Sequence, residues 1–205
     1  MAITRRPGGR TARTRAAVLA AVEAELLDHG FDGLSVDAVA ERSGVHRATV
    51  YRRWRDVGGL LADALAAGRE DDWTPPDRGS LAADLTALNQ DVVRHLTAER
   101  SLARALIVAS HRSPAAAHAL HEFLDDRYRR SEVVVDRAVS RGEVPAGTDA
   151  RRLLVAATAP LYHELLLLGG AVDDALAARW AADAARAAAA GVWADERVTG
   201  GPAAR

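Results

Sequence analysis

Lysine and cysteine are both absent from this chain of 205 residues. Without cysteine there can be no disulfide and no thiolate metal site, and a reducing cytosol is the default compartment. Nor does any apolar run approach the roughly 18 to 20 residues that a membrane-spanning helix needs. The first residues, MAITRRPGGRTARTR, lack the apolar segment of a secretion signal. A cytoplasmic location with no membrane partner is therefore expected. Alternating β-branched runs are few, which argues against sheet. What is present is 49 % hydrophobic and 27 % charged residues, enough to bury a core and too apolar for compositional disorder. The length suits one large domain or a small domain joined to a larger one.

The net charge of −1 conceals an asymmetry. Residues 1–60 carry 10 Arg against 7 acids, and residues 61–205 carry 17 Arg against 21 acids. Because all 27 basic residues are Arg, no single one marks a choice of fork geometry over a point charge. Their local clustering is the informative fact, and it is densest in GVHRATVYRRW, residues 44–54.

Apolar residues recur at helical spacing from end to end, which predicts an all-α fold of about nine helices. The first spans Thr11 to His29, with Val18, Leu19, Val22, Leu26 and Leu27 on one face and Gly30 as its stop. Ser35 caps a short second helix ending near Ser43, strengthened by Asp37 in its first turn. Gly44 turns the chain into a third helix, His46 to Trp54, and Asp56 caps a fourth. DDWTPPDRGS is the connector to longer helices. Leu81, Leu85, Leu88, Val92 and Leu96 stripe one of these; Leu102, Leu106 and Ile107 stripe the next. Ser113-Pro114 opens a helix that stops at Gly142. Thr148 caps another that reaches Leu168, with a kink at Pro160, and the last runs from Asp173 to Ala190.

On a helical wheel for residues 46–55, Val50 and Trp54 point inward, Ala48, Arg52 and Arg55 point outward, and Thr49 and Tyr51 lie on the flanks. So short a helix needs its neighbours to hold it. Two helices crossing steeply through a tight turn need a small residue at the contact, a residue tolerant of positive φ at the turn, and a branched apolar lock on the second helix. Ala40, Gly44 and Val50 supply these in order, the pattern of a helix-turn-helix.

The run from Thr14 to Leu65 resembles the DNA-binding region of the TetR family of bacterial transcriptional regulators. The resemblance rests on Phe31 after Gly30, the Ser35-Val36 start of the second helix, the core from Ala40 to Val45, and Val50-Tyr51 followed by Trp54. It implies a DNA-binding domain over residues 1–58, with the helix-turn-helix at 35–54 preceded by a basic arm. Residues 59–197 would form a ligand-sensing and dimerisation domain, and 198–205 a disordered tail. It further implies a homodimer that binds a palindromic double-stranded DNA operator and is released by a small-molecule effector, most often as a repressor. By position, Tyr51 and Arg53 would contact phosphates and Ser35 would cap the second helix beside the backbone. His46, Arg47, Thr49 and Arg52 would lie nearest the base edges, with Ala48 allowing close approach. Arg5, Arg6, Arg10 and Arg13 form the arm. Val57 stands where the family often has Lys, a lost phosphate contact that Arg55 or Arg53 could replace; Trp54 replaces the usual Phe.

In the larger domain, Leu153, Leu154, Ala157, Leu161, Leu165 and Leu168 make one helix apolar nearly all round, and Leu176, Trp180 and many alanines mark the last. Leu154, Leu161, Leu165, Leu168, Leu176 and Trp180 are the candidates for a four-helix dimer interface, with completion of the chain's own core as the alternative. For a pocket, Trp73, His95, His111, Phe123, Tyr128 and Tyr162 combine aromatic walls with polar groups, though a lone His such as His95, beside the Leu88/Val92 stripe, is more often a core residue. His118-x-x-His121-Glu122 offers the alternative of a metal site in a helical-bundle enzyme. No second Glu-x-x-His unit accompanies it and neither His-Glu pair continues as His-Glu-x-x-His, so no enzyme activity, metal or cofactor is expected. A sequence-indifferent DNA-compacting protein is the remaining alternative, opposed by the net acidic larger part.

Overall fold

The computed structural model describes residues 8–68, 73–99 and 101–194. The expected tail at 198–205 lies outside them, as do Arg5 and Arg6. The described residues form nine α-helices: α1 (Gly8–Gly33), α2 (Val36–Ser43), α3 (Arg47–Trp54), α4 (Val57–Gly68), α5 (Leu81–Thr97), α6 (Leu102–Ser110), α7 (Pro114–Ser140), α8 (Ala150–Tyr162) and α9 (Asp174–Ala189), with a π-helical turn over His163–Leu167. Among the described residues no helix is long and apolar enough to cross a membrane. They pack into two units. One comprises the chain up to Asp71 with Ala98–Phe123, the other Asp72–Thr97 with Leu124 onward.

The first unit is built around the apolar stripe of α1. Val18, Val22, Val39, Val50, Leu60, Leu61 and Leu106 are fully buried together. Gly30 breaks α1 as its position suggests, with φ of 66°, and one further turn to Gly33 follows. Ser35 accepts a hydrogen bond from the Ala38 amide at 3.1 Å and so starts α2. Gly44 ends α2 in the left-handed region at φ 66°, where a side chain would be strained. Asp56 caps α4 by accepting from the Gly59 amide at 2.8 Å, and it also accepts from the Ser113 hydroxyl at the start of α7. Here the glycine pair is a packing requirement. A Cβ on Gly58 would collide with Ser113, and one on Gly59 with the Trp54 carbonyl.

Three elements of this unit meet at one carboxylate. Asp63, on α4, accepts from Arg15 Nε and Nη2 on α1 at 2.8 to 3.1 Å and from the indole Nε1 of Trp54 on α3 at 2.8 Å. Partial burial alone would raise the Asp63 pKa, but the hydrogen bonds from Arg15 and Trp54, with the charges of Arg15 and Arg53, outweigh it and hold the carboxyl below its usual range. A second pair joins α1 to α2. Glu25 is 5 % exposed and takes Arg42 Nε at 2.5 Å and His29 Nδ1 at 3.1 Å. The Arg42 hydrogen bond is the main reason its pKa is lowered against the opposing effect of burial.

In the second unit, Leu81, Leu85 and Leu88 of α5 pack with Val134 and Val135 of α7, Leu153 and Leu154 of α8, and Ala181, Ala184 and Ala188 of α9. The alanines let α9 approach closely. Asn89, fully buried on α5, donates to the carbonyls of Ala157 on α8 and Ala177 on α9 at 3.2 and 3.1 Å, tying the three helices together. Two expectations need correction here. Asp149, not Thr148, caps α8, accepting from the Arg152 amide at 3.0 Å, while the Thr148 hydroxyl turns back to the Pro145 carbonyl. The helix also does not continue regularly to Leu168. Pro160 has no amide proton to extend the ladder, and the following turn widens to π-helical, with the Leu168 amide donating to the His163 carbonyl at 3.1 Å.

Substituting Asp63 by Ala leaves the indole N–H and the Arg15 guanidinium without their shared acceptor. A loss on the order of 1 to 3 kcal/mol is expected, nearer the low end because water partly screens the pair, and read as a lower midpoint of urea unfolding. Since the folded carboxyl holds its proton less tightly than the unfolded one, its contribution is present at neutral pH and disappears as pH falls below the ordinary carboxylate range. Asp63→Asn should therefore lose less stability than the parent between pH 6 and about pH 3; an equal loss would rule the linkage out.

Candidate nucleic-acid interface

The helix-turn-helix presents α3 with its apolar side inward. Val50 is fully buried and Trp54 nearly so, whereas Ala48, Tyr51, Arg52, Arg53 and Arg55 are exposed and Thr49 is half-buried. The wheel read from the sequence is thus realised, with one shift of boundary. His46 stands outside the helix as its N-cap, and its Nδ1 accepts from the Ala48 amide at 3.2 Å. An accepting Nδ1 places the ring proton on Nε2, so His46 offers one donor away from the helix.

The arginines of this segment differ in their surroundings. Arg47 lies with Nε 2.6 Å from Asp37 Oδ1 on α2, its guanidinium carbon 5.2 Å from the Tyr51 ring centre. Arg53 stacks on Trp54 at 4.9 Å. The side chains of Arg52 and Arg55 make no hydrogen bond or ion pair among the described residues. Arg55 is also the one non-glycine residue among them with positive φ, at 63°. A left-handed backbone costs an L-residue roughly 1 to 2 kcal/mol, so a side chain is retained where glycine would relax the chain. Val57, where a lysine was looked for, is half-buried at the start of α4.

The arm differs from expectation. Arg10 and Arg13 belong to α1, which begins at Gly8, and Arg13 Nε donates to the Gly9 carbonyl at 3.0 Å. Sequence reading placed Asp37 only at a helix start, without its pairing to Arg47, and missed Asp63. A lone Asp within the apolar stretch GGLLADAL was the only local sign of the latter.

The pocket candidates fall into both units. His111, exposed, and Phe123, packed on the core, belong to the first; Trp73, His95, Tyr128 and Tyr162 belong to the second. His95 is not a core residue: it is exposed and its Nδ1 lies 2.7 Å from the Asp91 carbonyl oxygen. Trp73 donates to Asp91 Oδ2 at 2.9 Å and is faced by Arg127 and Arg130. The hydroxyls of Tyr128 and Thr158 share a hydrogen bond of 2.9 Å, and Arg151 stacks on the Tyr128 ring at 4.4 Å. Tyr162 is largely enclosed, and burial, with Tyr128 nearby, pushes its phenol well above the usual range. An open depression of about 360 Å³ is lined by Ala171, Asp173, Ala175, Leu176 and Arg179, none of them among these six. His118 and Glu122, both exposed on α7, approach to 3.5 Å, and no group of three His, Cys, Asp or Glu residues among those described is placed to hold a metal.

Of the interface candidates, Leu154, Leu161 and Leu165 are buried within the chain itself, and Leu176 and Trp180 are half-buried. Leu168 is 63 % exposed, beside Leu167 at 76 %.

Comparison with known proteins agrees with this geometry. The family described as bacterial regulatory proteins, tetR family, matches residues 18–64, and the tetracyclin repressor-like C-terminal domain matches residues 75–184. An HTH-type transcriptional regulator of Mycobacterium tuberculosis is 38 % identical over 128 residues, covering 62 % of this chain and 63 % of that relative, less than two thirds of its length. The DNA-binding transcriptional repressor TetR of Mycobacteroides abscessus is 34 % identical over 178 residues, covering 81 % of this chain and 89 % of the relative. The crystal structure of the TetR family transcription regulator SCO0332 superposes with a TM-score of 0.65 at 28 % identity, covering 85 % of this chain and 97 % of that one. With both halves of the chain matched and the helix-turn-helix formed, the protein belongs to the TetR family of transcriptional regulators.

Proposed function

We propose that this regulator is a ligand-responsive repressor that binds a palindromic operator as a homodimer through α3 and is released by a small-molecule effector. The observation that carries the reading is the exposed cationic side of α3, where Arg52 and Arg55 have no partner among the described residues while Val50 and Trp54 fix the helix from behind. Arginine reads guanine O6 and N7 in a bidentate way, and Ala48, one turn before Arg52, lets the helix lie close to the bases. Ser35, Tyr51 and Arg53 would hold phosphates, and His46 Nε2–H would donate to a base or a phosphate. The relative named as a repressor favours repression over activation.

Exposed Leu167 and Leu168 favour pairing of two copies through the π-helical turn that follows α8. Release would follow if an effector bound near Tyr128 and Tyr162 shifted α7, since Ser113 at its start is hydrogen-bonded to the Asp56 cap of α4, and α4 directly follows α3. A ligand that prefers the wrong spacing of the reading heads lowers operator affinity by its differential affinity for the two states.

Selection from a random duplex pool should return a palindrome with half-sites about one helical turn apart. Arg52→Ala should lose discrimination at one base pair per half-site, by roughly 5- to 150-fold. A pool that yields no motif and binding that merely declines with salt would sink the operator reading. Arg55→Gly should stabilise the fold by about 1 kcal/mol yet reduce the slope of log affinity against log salt by about one per subunit; an unchanged slope would take Arg55 out of the phosphate contacts. Leu167→Glu with Leu168→Glu should yield monomers in sedimentation, and persistence of a dimer would place the interface elsewhere.

A further inference from the structure

The reading face of the helix-turn-helix contains a carboxylate. Asp37 sits in the first turn of α2 with half its side chain exposed, and its Oδ1 lies 2.6 Å from Nε of Arg47, the first residue of α3. On a surface that is to meet two strands of phosphate, a free acid costs affinity. An exposed ion pair between two such residues adds little to folding stability. The first turn of a helix does favour an acid, but that preference does not account for the partner across the turn. The geometry of the guanidinium does. A fork engaged at Nε by a carboxylate on one side keeps Nη1 and Nη2 for a second, planar acceptor pair. Tyr51, with its ring 5.2 Å from the Arg47 guanidinium carbon, flanks the same group. Arg47 is thereby held at two sides, by the Asp37 carboxylate and by the Tyr51 side chain, whereas Arg52, five residues on, is held by neither.

We propose that Asp37 is a specificity-determining positioning residue, which fixes Arg47 through Nε so that the two terminal nitrogens of the guanidinium meet O6 and N7 of a guanine in the major groove. The inference rests on operator binding through α3. Two effects follow from the one carboxylate. Orientation makes the guanine contact rigid, so a wrong base leaves a fixed, unpaired fork, while the negative charge weakens binding to every duplex alike. Specificity is a difference of affinities, and the first effect enlarges it.

The experiment uses the full-length protein and its selected operator, with duplexes carrying each substitution at the base pair that Arg47→Ala identifies as its own. Asp37→Asn keeps the side-chain size and removes the charge. It should reduce preference for guanine at that pair about tenfold and tighten binding to unrelated duplex severalfold, with other positions of the motif unaffected. In the Arg47→Ala background, Asp37→Asn should no longer change preference at that pair, an outcome a merely structural role in α2 would not produce. Asp37→Ala serves as the second variant, and circular dichroism melting reports whether either has loosened α2. Equal tightening on all duplexes with guanine preference intact would overturn the proposal, as would an Arg47→Ala protein with an unaltered motif. A wild-type protein that selects no motif at all is a different result: it removes the operator reading itself, and the inference with it.

Discussion

The carboxylate of Asp63 is the constraint on which the reading head depends. A helix of 8 residues such as α3 has too few turns to persist alone, and its one large apolar side chain, Trp54, brings an indole N–H that burial would leave unpaired. Asp63 supplies the acceptor, and Arg15 supplies the charge that keeps Asp63 ionised. The aromatic can then be buried at 5 % exposure with its polar edge satisfied, and α3 is fixed in depth and rotation by a bond as well as by packing. The Glu25–Arg42 pair performs the same service for α2. Both acids bind arginine, so each carboxylate is matched by a guanidinium that stays in part exposed.

The arginines of this unit thus differ in how they are held. Arg15 and Arg42 are structural, held against α4 and α1. Arg53 lies with its guanidinium over the Trp54 ring. Arg52 and Arg55 stand clear. Arg55, the one non-glycine residue of positive φ among the described residues, carries backbone strain at the end of α3.

Most of the helices were legible in the sequence because their signals are local. Ser35, Asp56 and Ser113 each act as the cap their position suggested, and the left-handed glycines at 30, 44, 142 and 191 each stand at the end of a helical run. The errors have physical causes. Thr148 and Asp149 are adjacent cap formers, and the choice turned on whether the hydroxyl would fold back on Pro145. The π-helical turn has no periodicity of its own to read over five residues; only Pro160 announced it. The clasp at Asp63 joins residues 48 positions apart in sequence, and no pattern of spacing links them. Asp37 was read as a helix-start residue, which is true of its own helix and silent about the arginine across the turn.

The join between α3 and α4 is where packing and function meet most closely. Gly59 lets the first turn of α4 rest on the Trp54 carbonyl, and Gly58 lets it rest on the Ser113 side chain, with no α4 side chain intervening at either contact. Asp56 then bonds to both α4 and the Ser113 hydroxyl. A junction in which the backbone of α4 touches the Trp54 carbonyl and the Ser113 side chain directly has little room to absorb a displacement, because close-packed groups resist compression. Any shift imposed on the first turn of α7 must therefore be met either by breaking the Asp56 cap or by moving α4, and with α4 the Asp63 clasp that sets the position of α3.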